Sequence, residues 1–434
     1  MLTTWRSSHY KLTHMLEMRK LYWSRFSLSL GGGLVSIFTP IFLLQKNTSF
    51  KELLYFYMLI SVANIILAPM AFKLMTIIGS NINMFIATIV QSIVYLLLSV
   101  YVGPGLLLWV IAILSALTTE LYWPAFHANF SASQDSEHFG KQVSFLAVVT
   151  GLAQAVTPLI GGVAAYFFGI NVLYYPATML LLLGSFPLLS HHNKFKRAHF
   201  SIRNLSNDIF STDMVAMFGS SVIGLVEQVM WPVAIFLILG NLALIGGLST
   251  LMLASSVLVA VYVGRKIHAR GSKHFINLSA PMVATINIFR IFASGTPAIS
   301  GANLISGVVN SLSGTAYTTA FYKNAGKSNR LTYLFAAELI WQFGRLLALG
   351  VMLIVLSVSG SPRDALVGAL IMAAIGSILV KKFVKKYGLS VASSKAVSVY
   401  EMAIFLKQHD CLRYVYGRQL QSKQKIFGIH FQDA

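Results

Sequence analysis

The chain has 434 residues, of which 56% are apolar and 11% are charged. A soluble globular protein carries about 25% charged residues, so this chain cannot cover a water-facing surface and most of it must lie in lipid. The net charge of +20 raises the possibility of a nucleic-acid partner, but the positive charges occur in short patches between apolar runs. The single cysteine, Cys411, cannot form an internal disulfide.

Twelve apolar runs are long enough to cross a membrane, since a span needs about 20 mostly apolar residues. They lack the alternation of barrel strands, which predicts helices. The first run follows a basic leader and is long enough to span, so we expect it to be helix 1 rather than a cleaved signal peptide. The predicted spans are residues 24–45, 53–76, 82–103, 104–126, 143–168, 170–190, 209–239, 241–263, 275–294, 296–321, 331–357 and 363–380.

Lysine and arginine are distributed asymmetrically about these spans. With the N-terminus in the cytoplasm, 28 of the 33 basic residues fall in cytoplasmic segments, as the positive-inside rule requires. We therefore predict an integral multi-pass protein of the plasma (cell inner) membrane with both termini in the cytoplasm. The net charge then reflects topology and anionic lipid headgroups rather than nucleic acid.

Short patterns recur at nearly one offset, which indicates an internal duplication. The offset is 192 for the pairs in helices 1 and 7 and for the turns after helices 2 and 8, and it is 195 at the ends of helices 4 and 10. The pairs are Gly32/Gly224, Pro40/Pro232, Gly79/Gly271, and the segments 122–129 and 317–324, which share Tyr, Ala, Phe and Asn in register. The predicted organisation is an N-terminal segment 1–23, a six-helix bundle 24–190, a basic linker 191–208, a second bundle 209–385 and a basic tail 386–434, for which a helix on anionic lipid is one interpretation.

Two parallel repeats of six helices joined by a basic linker resemble the major facilitator superfamily of transporters. The resemblance implies an all-α polytopic fold of twelve transmembrane helices in two six-helix pseudo-repeat bundles. The signature of the family after helix 8 is present as Gly264, His268 and Gly271, with His268 in the acidic place. After helix 2 only Gly79 remains, and Thr76 occupies the position of the aspartate.

Helix 5 carries a second element that resembles the family. Pro158, Gly161 and Gly162 follow a pattern that is common in its proton-driven exporters. The resemblance therefore implies gating or motif roles for these residues and for the signature residues after helices 2 and 8, and it favours export over uptake.

Ionisable residues inside the spans are the strongest functional signal, because each costs about 2.5–3.5 kcal/mol on insertion scales. Glu120, Glu227, Glu338 and Arg345 are such residues. The resemblance places helices 1, 4, 7 and 10 around a central cavity, with Glu227 at the depth of a substrate site.

Helical spacing gives these residues polar neighbours. Glu338, Gln342 and Arg345 share one face of helix 11, and four residues share one face of helix 7: Ser220, Gly224, Glu227 and Trp231. Helix 10 carries a polar stripe of five residues: Asn303, Ser306, Asn310, Ser313 and Tyr317. The predicted substrate-binding or proton-binding residues are Glu227, Arg345, Gln228, Gln342, Glu120, Glu338, Asn310, Tyr122 and Tyr317.

Structural interpretations compete with these roles. Polar stripes also serve helix packing, and Glu338 with Arg345 is compatible with a purely structural ion pair. We expect His127 to lie at the membrane interface as a capping or topology residue. We expect Arg290, near the outer end of helix 9, to extend its side chain towards the headgroups.

The leading hypothesis is a secondary active transporter that moves a small organic solute by alternating access, coupled to protons. A carboxyl group inside a membrane is easier to protonate than in water, because its charged form loses hydration. Glu227 or Glu120 would exchange protons, and Arg345 would pair with Glu227 in one state and with a substrate anion in another. The alternatives are a translocase of lipids or lipid-linked headgroups, a non-transporting scaffold or receptor on the same fold, and, more remotely, a membrane acyltransferase.

Several function classes lack their motifs. There is no phosphate-binding loop, no group of metal ligands at suitable spacing and no nucleophile elbow in the sequence,. We therefore expect no enzyme activity, no cofactor, no metal and no nucleic-acid partner. The expected partners are a small-molecule substrate, protons and the lipid bilayer, and the expected state is a monomer.

Overall fold

The computed structural model describes residues 19, 21–132, 139–189, 195, 200, 205, 212–326 and 329–382. All regular secondary structure in these ranges is helical, which confirms the prediction of an all-α chain. The predicted tail and most of the predicted N-terminal segment and linker lie outside the described residues. The helices are α1 Leu21–Gln45, α2 Phe50–Ile78, α3 Ser80–Ser99, α4 Leu106–Ala132, α5 Phe139–Phe168, α6 Ile170–Leu189, α7 Asp213–Leu239, α8 and α9 (the parts of Leu242–Phe292 before and after Gly271), α10 Gly295–Ala325, α11 Arg330–Ser359 and α12 Pro362–Val380.

These helices make the chain an integral multi-pass membrane protein. Eleven of them have the length and apolar character of membrane spans. The remaining helix is α10, which has 31 residues but carries the predicted stripe of Asn, Ser and Tyr. Its polar side chains therefore require neighbours other than lipid.

The turn after α2 and the turn after α8 have the same unusual backbone. Gly79 has φ 92° and ψ 158°, and Gly271 has φ 74° and ψ 154°. A residue with a Cβ rarely adopts this conformation, so glycine is needed where one residue reverses the chain between two long helices. The shared geometry supports the duplication that the offset of 192 predicts.

Each of the two prolines related by the duplication follows an interruption of the α-helical pattern. In α1 the α-helical pattern is interrupted at residues 36–38 and resumes at Thr39, next to Pro40. In α7 a π-helical segment, Val226–Met230, precedes Trp231 and Pro232. Proline has no N–H and its ring clashes with the carbonyl four residues before it, so the regular hydrogen-bond pattern is interrupted one turn upstream. In α1 the Phe38 N–H donates to the Val35 carbonyl, three residues back, whereas in α7 the turn is π-helical. The π-segment of α7 contains Glu227.

The two halves of the chain meet along two antiparallel helix pairs, α5 with α8 and α2 with α11. The α5–α8 contact runs along 18 residues of each helix, or roughly 27 Å. At each step one partner is small, so the two backbones approach closely. The contacting pairs are Ser144 with Gly264, Gly151 with Val257, Leu159 with Thr250, and Gly162 with Gly246.

The Gly162–Gly246 contact gives a direct test of this packing. A Cβ on Gly246 would collide with the carbonyl oxygen of Pro158 on α5, whereas a Cβ on the adjacent Gly247 would meet only Leu159 Cδ1, at 3.9 Å. We expect Gly246→Ala to lower the free energy of unfolding by about 1–3 kcal/mol through overpacking. Gly247→Ala should be neutral or slightly stabilising. Thermal unfolding of the two purified variants in one detergent checks this, and equal stabilities would contradict the proposed seam.

Candidate functional site

A cavity of about 830 Å³ lies among the helices. Its wall is supplied mainly by α1, α7 and α10, with further side chains from α3, α4, α5 and α8, so both halves of the chain contribute. Most lining side chains are apolar, aromatic, hydroxyl or amide groups. Among the described residues that line it, the charged ones are Arg25 and Glu227.

The structure divides the predicted site residues into two groups. Five of the nine line the cavity: Glu227, Gln228, Asn310, Tyr122 and Tyr317. The other four are not part of this wall and lie in a second cluster between α4 and α11. The face of α7 predicted from helical spacing also lines the cavity, since Ser220, Gly224 and Trp231 join Glu227 there.

Glu227 is paired with Arg290 of α9. Arg290 Nη1 donates to Glu227 Oε1 at 2.5 Å, and Arg290 Nη2 donates to Oε2 at 3.0 Å. The Arg290 side chain is fully buried, while that of Glu227 keeps 13% of its surface exposed. The pair therefore joins a buried cation to a carboxylate on the cavity wall. The expectation that Arg290 extends towards the headgroups was wrong, because this carboxylate satisfies its charge inside the bundle.

Neighbouring side chains hold this ion pair in place. The Arg290 guanidinium lies 4.5 Å from the centre of the Trp231 ring, and its Nη1 also donates to Asn287 Oδ1 at 3.3 Å. Trp231 Nε1 donates to Asn303 Oδ1 at 2.7 Å, and Asn303 Nδ2 donates to the carbonyl of Leu248 at 3.1 Å. The contacts connect α7, α8, α9 and α10 around the carboxylate. Asn303, the first residue of the polar stripe, therefore lines the cavity and also links α10 to α7 and α8 through hydrogen bonds.

The second cluster is buried away from the cavity. Glu120 is fully buried and neither of its carboxyl oxygens has a hydrogen-bond partner. It interacts electrostatically with Glu338 and Arg345, and Arg345 also interacts with Tyr57 of α2. Gln342 is buried on the same face of α11. Two carboxyl groups therefore share one guanidinium, so the cluster has an excess negative charge unless a proton is bound.

A cluster of buried aromatic rings, the plug, lies beside the cavity towards one face of the bundle. We call this the basic face; α1 begins there and α12 ends there. On α4 and α10 the cavity-lining residues are followed, towards the basic face, by buried rings that contact one another across the two halves. The plug consists of Phe126, His127, Phe130, Phe321, Tyr322 and Trp341.

The centre of the plug is a hydrogen bond between repeat-related residues. His127 Nδ1 lies 2.7 Å from the Tyr322 hydroxyl, and the two positions are separated by the repeat offset of 195. Residues related by the duplication can meet only near its pseudo-two-fold axis, so this bond lies on that axis. His127 is 8% exposed and bonds to the other half of the chain, so it is a buried packing residue rather than the capping or topology residue expected from the sequence.

The predicted motif residues serve helix contacts and turns. Gly161 abuts the Leu34 carbonyl of α1, and a Cβ on Gly162 would lie 2.7 Å from the Leu242 carbonyl. The side chain of His268 lies outside the described part of the structure. Pro158 and Gly264 lie in the α5–α8 contact, and Pro158 also lines the cavity. Gly79 and Gly271 form the two turns.

Sequence reasoning missed Arg290 and Arg25. Arg290 was assigned to the helix end by depth alone, although Asn287, one turn earlier in an apolar run, was a sign of a polar partner network. Arg25 was counted only as a topology charge, yet it lies inside predicted span 24–45. Among the described residues no group of three or more His, Cys, Asp or Glu is arranged to hold a metal ion.

Solved structures with the same fold are membrane transporters. A bacterial homologue of the iron transporter ferroportin, in an outward-facing state with soaked iron, has a TM-score of 0.60 at 13% identity, over 85% of this chain and 99% of that chain. The human organic anion transporter MFSD10 has a TM-score of 0.58 at 9% identity, over the same shares of the two chains. These identities establish the fold and nothing finer.

Sequence comparison assigns the family. No curated protein sequence matches the chain. The model of the Major Facilitator Superfamily matches residues 21–349, which is about three quarters of the sequence. The two pseudo-repeat bundles predicted from the duplication are those of this fold, and the chain belongs to the Major Facilitator Superfamily.

Proposed function

We propose that this chain, a membrane transporter by family, is a secondary transporter that exports a small organic solute by alternating access and couples export to protons. The observation that carries the proposal is Glu227, a carboxylate on the wall of a cavity that both halves of the chain enclose. In this proposal the basic face lies in the cytoplasm of the plasma membrane and the transporter works as a monomer.

The cavity chemistry supports a small organic solute. A volume of about 830 Å³ is suited to a drug-sized molecule,. Tyr122, Trp123 and Trp231 offer aromatic surfaces, while Asn310 and Gln228 offer amide groups that both donate and accept hydrogen bonds,. The named substrates of the two similar structures differ from each other, so the substrate is argued from this cavity.

The Glu227–Arg290 pair supports proton coupling. A proton that reaches Glu227 from the cavity competes with Arg290 for the same carboxyl oxygens. Protonation therefore releases a buried guanidinium, which must find another anionic or polar partner. The hypothesis of Arg345 as the partner of Glu227 is replaced here by Arg290. The cluster of Glu120, Glu338 and Arg345 is a second place where a proton would balance charge.

The plug supports alternating access. In this proposal it closes the basic face through contacts between α4 and α10 and between Phe72 of α2 and Phe335 of α11, whose ring centres are 5.3 Å apart. These contacts join the two halves near the basic face, so a rocking motion that opens this face would break them. The helix 5 element, which resembles one common in proton-driven exporters, favours export.

Replacing the cavity carboxylate tests coupling. We expect Glu227→Gln to abolish solute accumulation driven by a pH gradient and to cost about 3–5 kcal/mol of stability, because Arg290 is left unpaired. The double variant Glu227→Gln/Arg290→Gln should regain most of the stability without regaining coupling. The measurements are thermal unfolding and uptake into proteoliposomes of solutes identified by a thermal-shift screen. Proton-driven accumulation by the double variant would refute the role of Glu227.

Loosening the plug tests alternating access. In a Cys411→Ser background, Gly314→Cys places a thiol on the cavity wall, where a Cβ meets no atom within 4 Å. Tyr322→Phe removes the hydroxyl that bonds His127, so we expect an impermeant maleimide to label this thiol about two- to tenfold faster from the basic face. Tyr262→Phe, on an exposed part of α8, is the matched control. Unchanged labelling would mean that this bond does not hold the gate closed.

A further inference from the structure

The charge on the cavity wall is unbalanced. Of the two charged lining residues, Glu227 is already neutralised by the buried Arg290. Arg25 has no ion pair or hydrogen bond with any described residue, and its guanidinium lies over three aromatic rings. The wall and its ion-pair partner together therefore carry one uncompensated positive charge. Because Arg25 lines the cavity, this charge is available to a ligand there.

Aromatic rings fix the position of Arg25 at the inner end of the cavity. Its guanidinium carbon lies 4.6 Å from the ring centre of Trp123, 5.3 Å from that of Phe126 and 5.9 Å from that of Tyr122. Arg25 lies about one turn into α1, directly above the plug. No described residue accepts a hydrogen bond from this guanidinium, so its N–H donors are available to a ligand,. Such a fork matches the geometry of a carboxylate, sulfonate or phosphate group.

We propose that Arg25 binds the anionic group of the substrate, and that the substrate is an amphipathic organic monoanion. This inference rests on the proposed transport function and specifies its substrate class. The anion lies on Arg25 next to the plug, and the body of the molecule extends along Tyr122 and Trp123 towards Trp231. One anionic group compensates the single net positive charge of the wall and its ion-pair partner, and a second would lack a cation, which favours monoanions over dianions.

A purely structural role for Arg25 makes a different prediction. Cation–π contact with the plug would stabilise the closed basic face by about 0.5–2 kcal/mol whatever the charge of the ligand. Loss of Arg25 would then change stability and gating, but it would not change which ligand charge is preferred. Charge preference is therefore the measurement that separates the two roles.

Three probes with one aromatic body isolate the charge. We would measure the binding of 1-naphthoate, 1-naphthamide and 1-naphthylmethylammonium to the full-length chain in detergent, by tryptophan fluorescence and by thermal shift. The wild-type chain should bind the anionic probe at least tenfold more tightly than the neutral and cationic probes. Arg25→Gln should lose about 10- to 100-fold in affinity for naphthoate, as expected for a charge-assisted hydrogen bond, with little change for naphthamide.

Two variants control for charge and folding. Arg25→Lys keeps the charge but loses the planar fork, so it should retain a weaker preference for naphthoate and show that Arg25→Gln has not simply misfolded. Arg19→Gln removes an exposed arginine just before α1 and should bind all three probes as the wild type does.

The outcomes distinguish this inference from the proposed function. Naphthoate that fails to bind the wild type, or an anion preference that survives in Arg25→Gln, would overturn the role of Arg25 even if proton-driven solute transport is present. An anion preference that depends on Arg25 but is accompanied by no transport in proteoliposomes would support the binding site and refute the transport proposal.

Discussion

The ion pair between Arg290 and Glu227 is the interaction on which the cavity depends. Arg290 is fully buried in the membrane-spanning part of the fold, and a cation there is tolerated only with an anion in good geometry. The carboxylate of Glu227 accepts two hydrogen bonds from the guanidinium, and Trp231 and Asn287 hold the guanidinium in the orientation that these bonds require. The pair allows an acidic group to remain on an apolar wall.

The duplication shows how this site differs from its surroundings. Both halves keep the proline and an interruption of the helix before it, but the interruptions differ: α1 has a turn with a bond from Phe38 N to the Val35 carbonyl, and α7 has a π-helical turn. The repeat offset of 192 relates Glu227 to Val35, which is fully buried among apolar residues. The carboxylate and the π-helical turn therefore occur together in the second half, whereas the first half contributes Arg25 and the aromatic rings of α4 to the cavity.

The parts of this molecule that follow periodic rules were predictable from its sequence. Helix number and approximate ends follow from apolar length, because lipid requires every backbone polar group to bond within a helix. The faces of α7 and α10 that line the cavity follow from the spacing of Glu227, Asn310 and Tyr317. Partners across helices were not predictable in this way. Arg290 and Arg345 both lie in apolar helices, and only the packing of α9 beside α7 decides which of them meets Glu227.

In the proposed mechanism, Arg25 connects recognition to the gate. The rings that hold its guanidinium belong to α4, and Phe126 among them also packs on His127, which bonds Tyr322 of the other half. An anion bound to the guanidinium would draw its positive charge away from the ring faces and so weaken the cation–π contact between α1 and α4. The α5–α8 seam has no such polar contact at its glycines and keeps its packing through close backbone approach. The charge that we propose to select the ligand would therefore loosen the basic face, while the packing of the seam would stay unchanged.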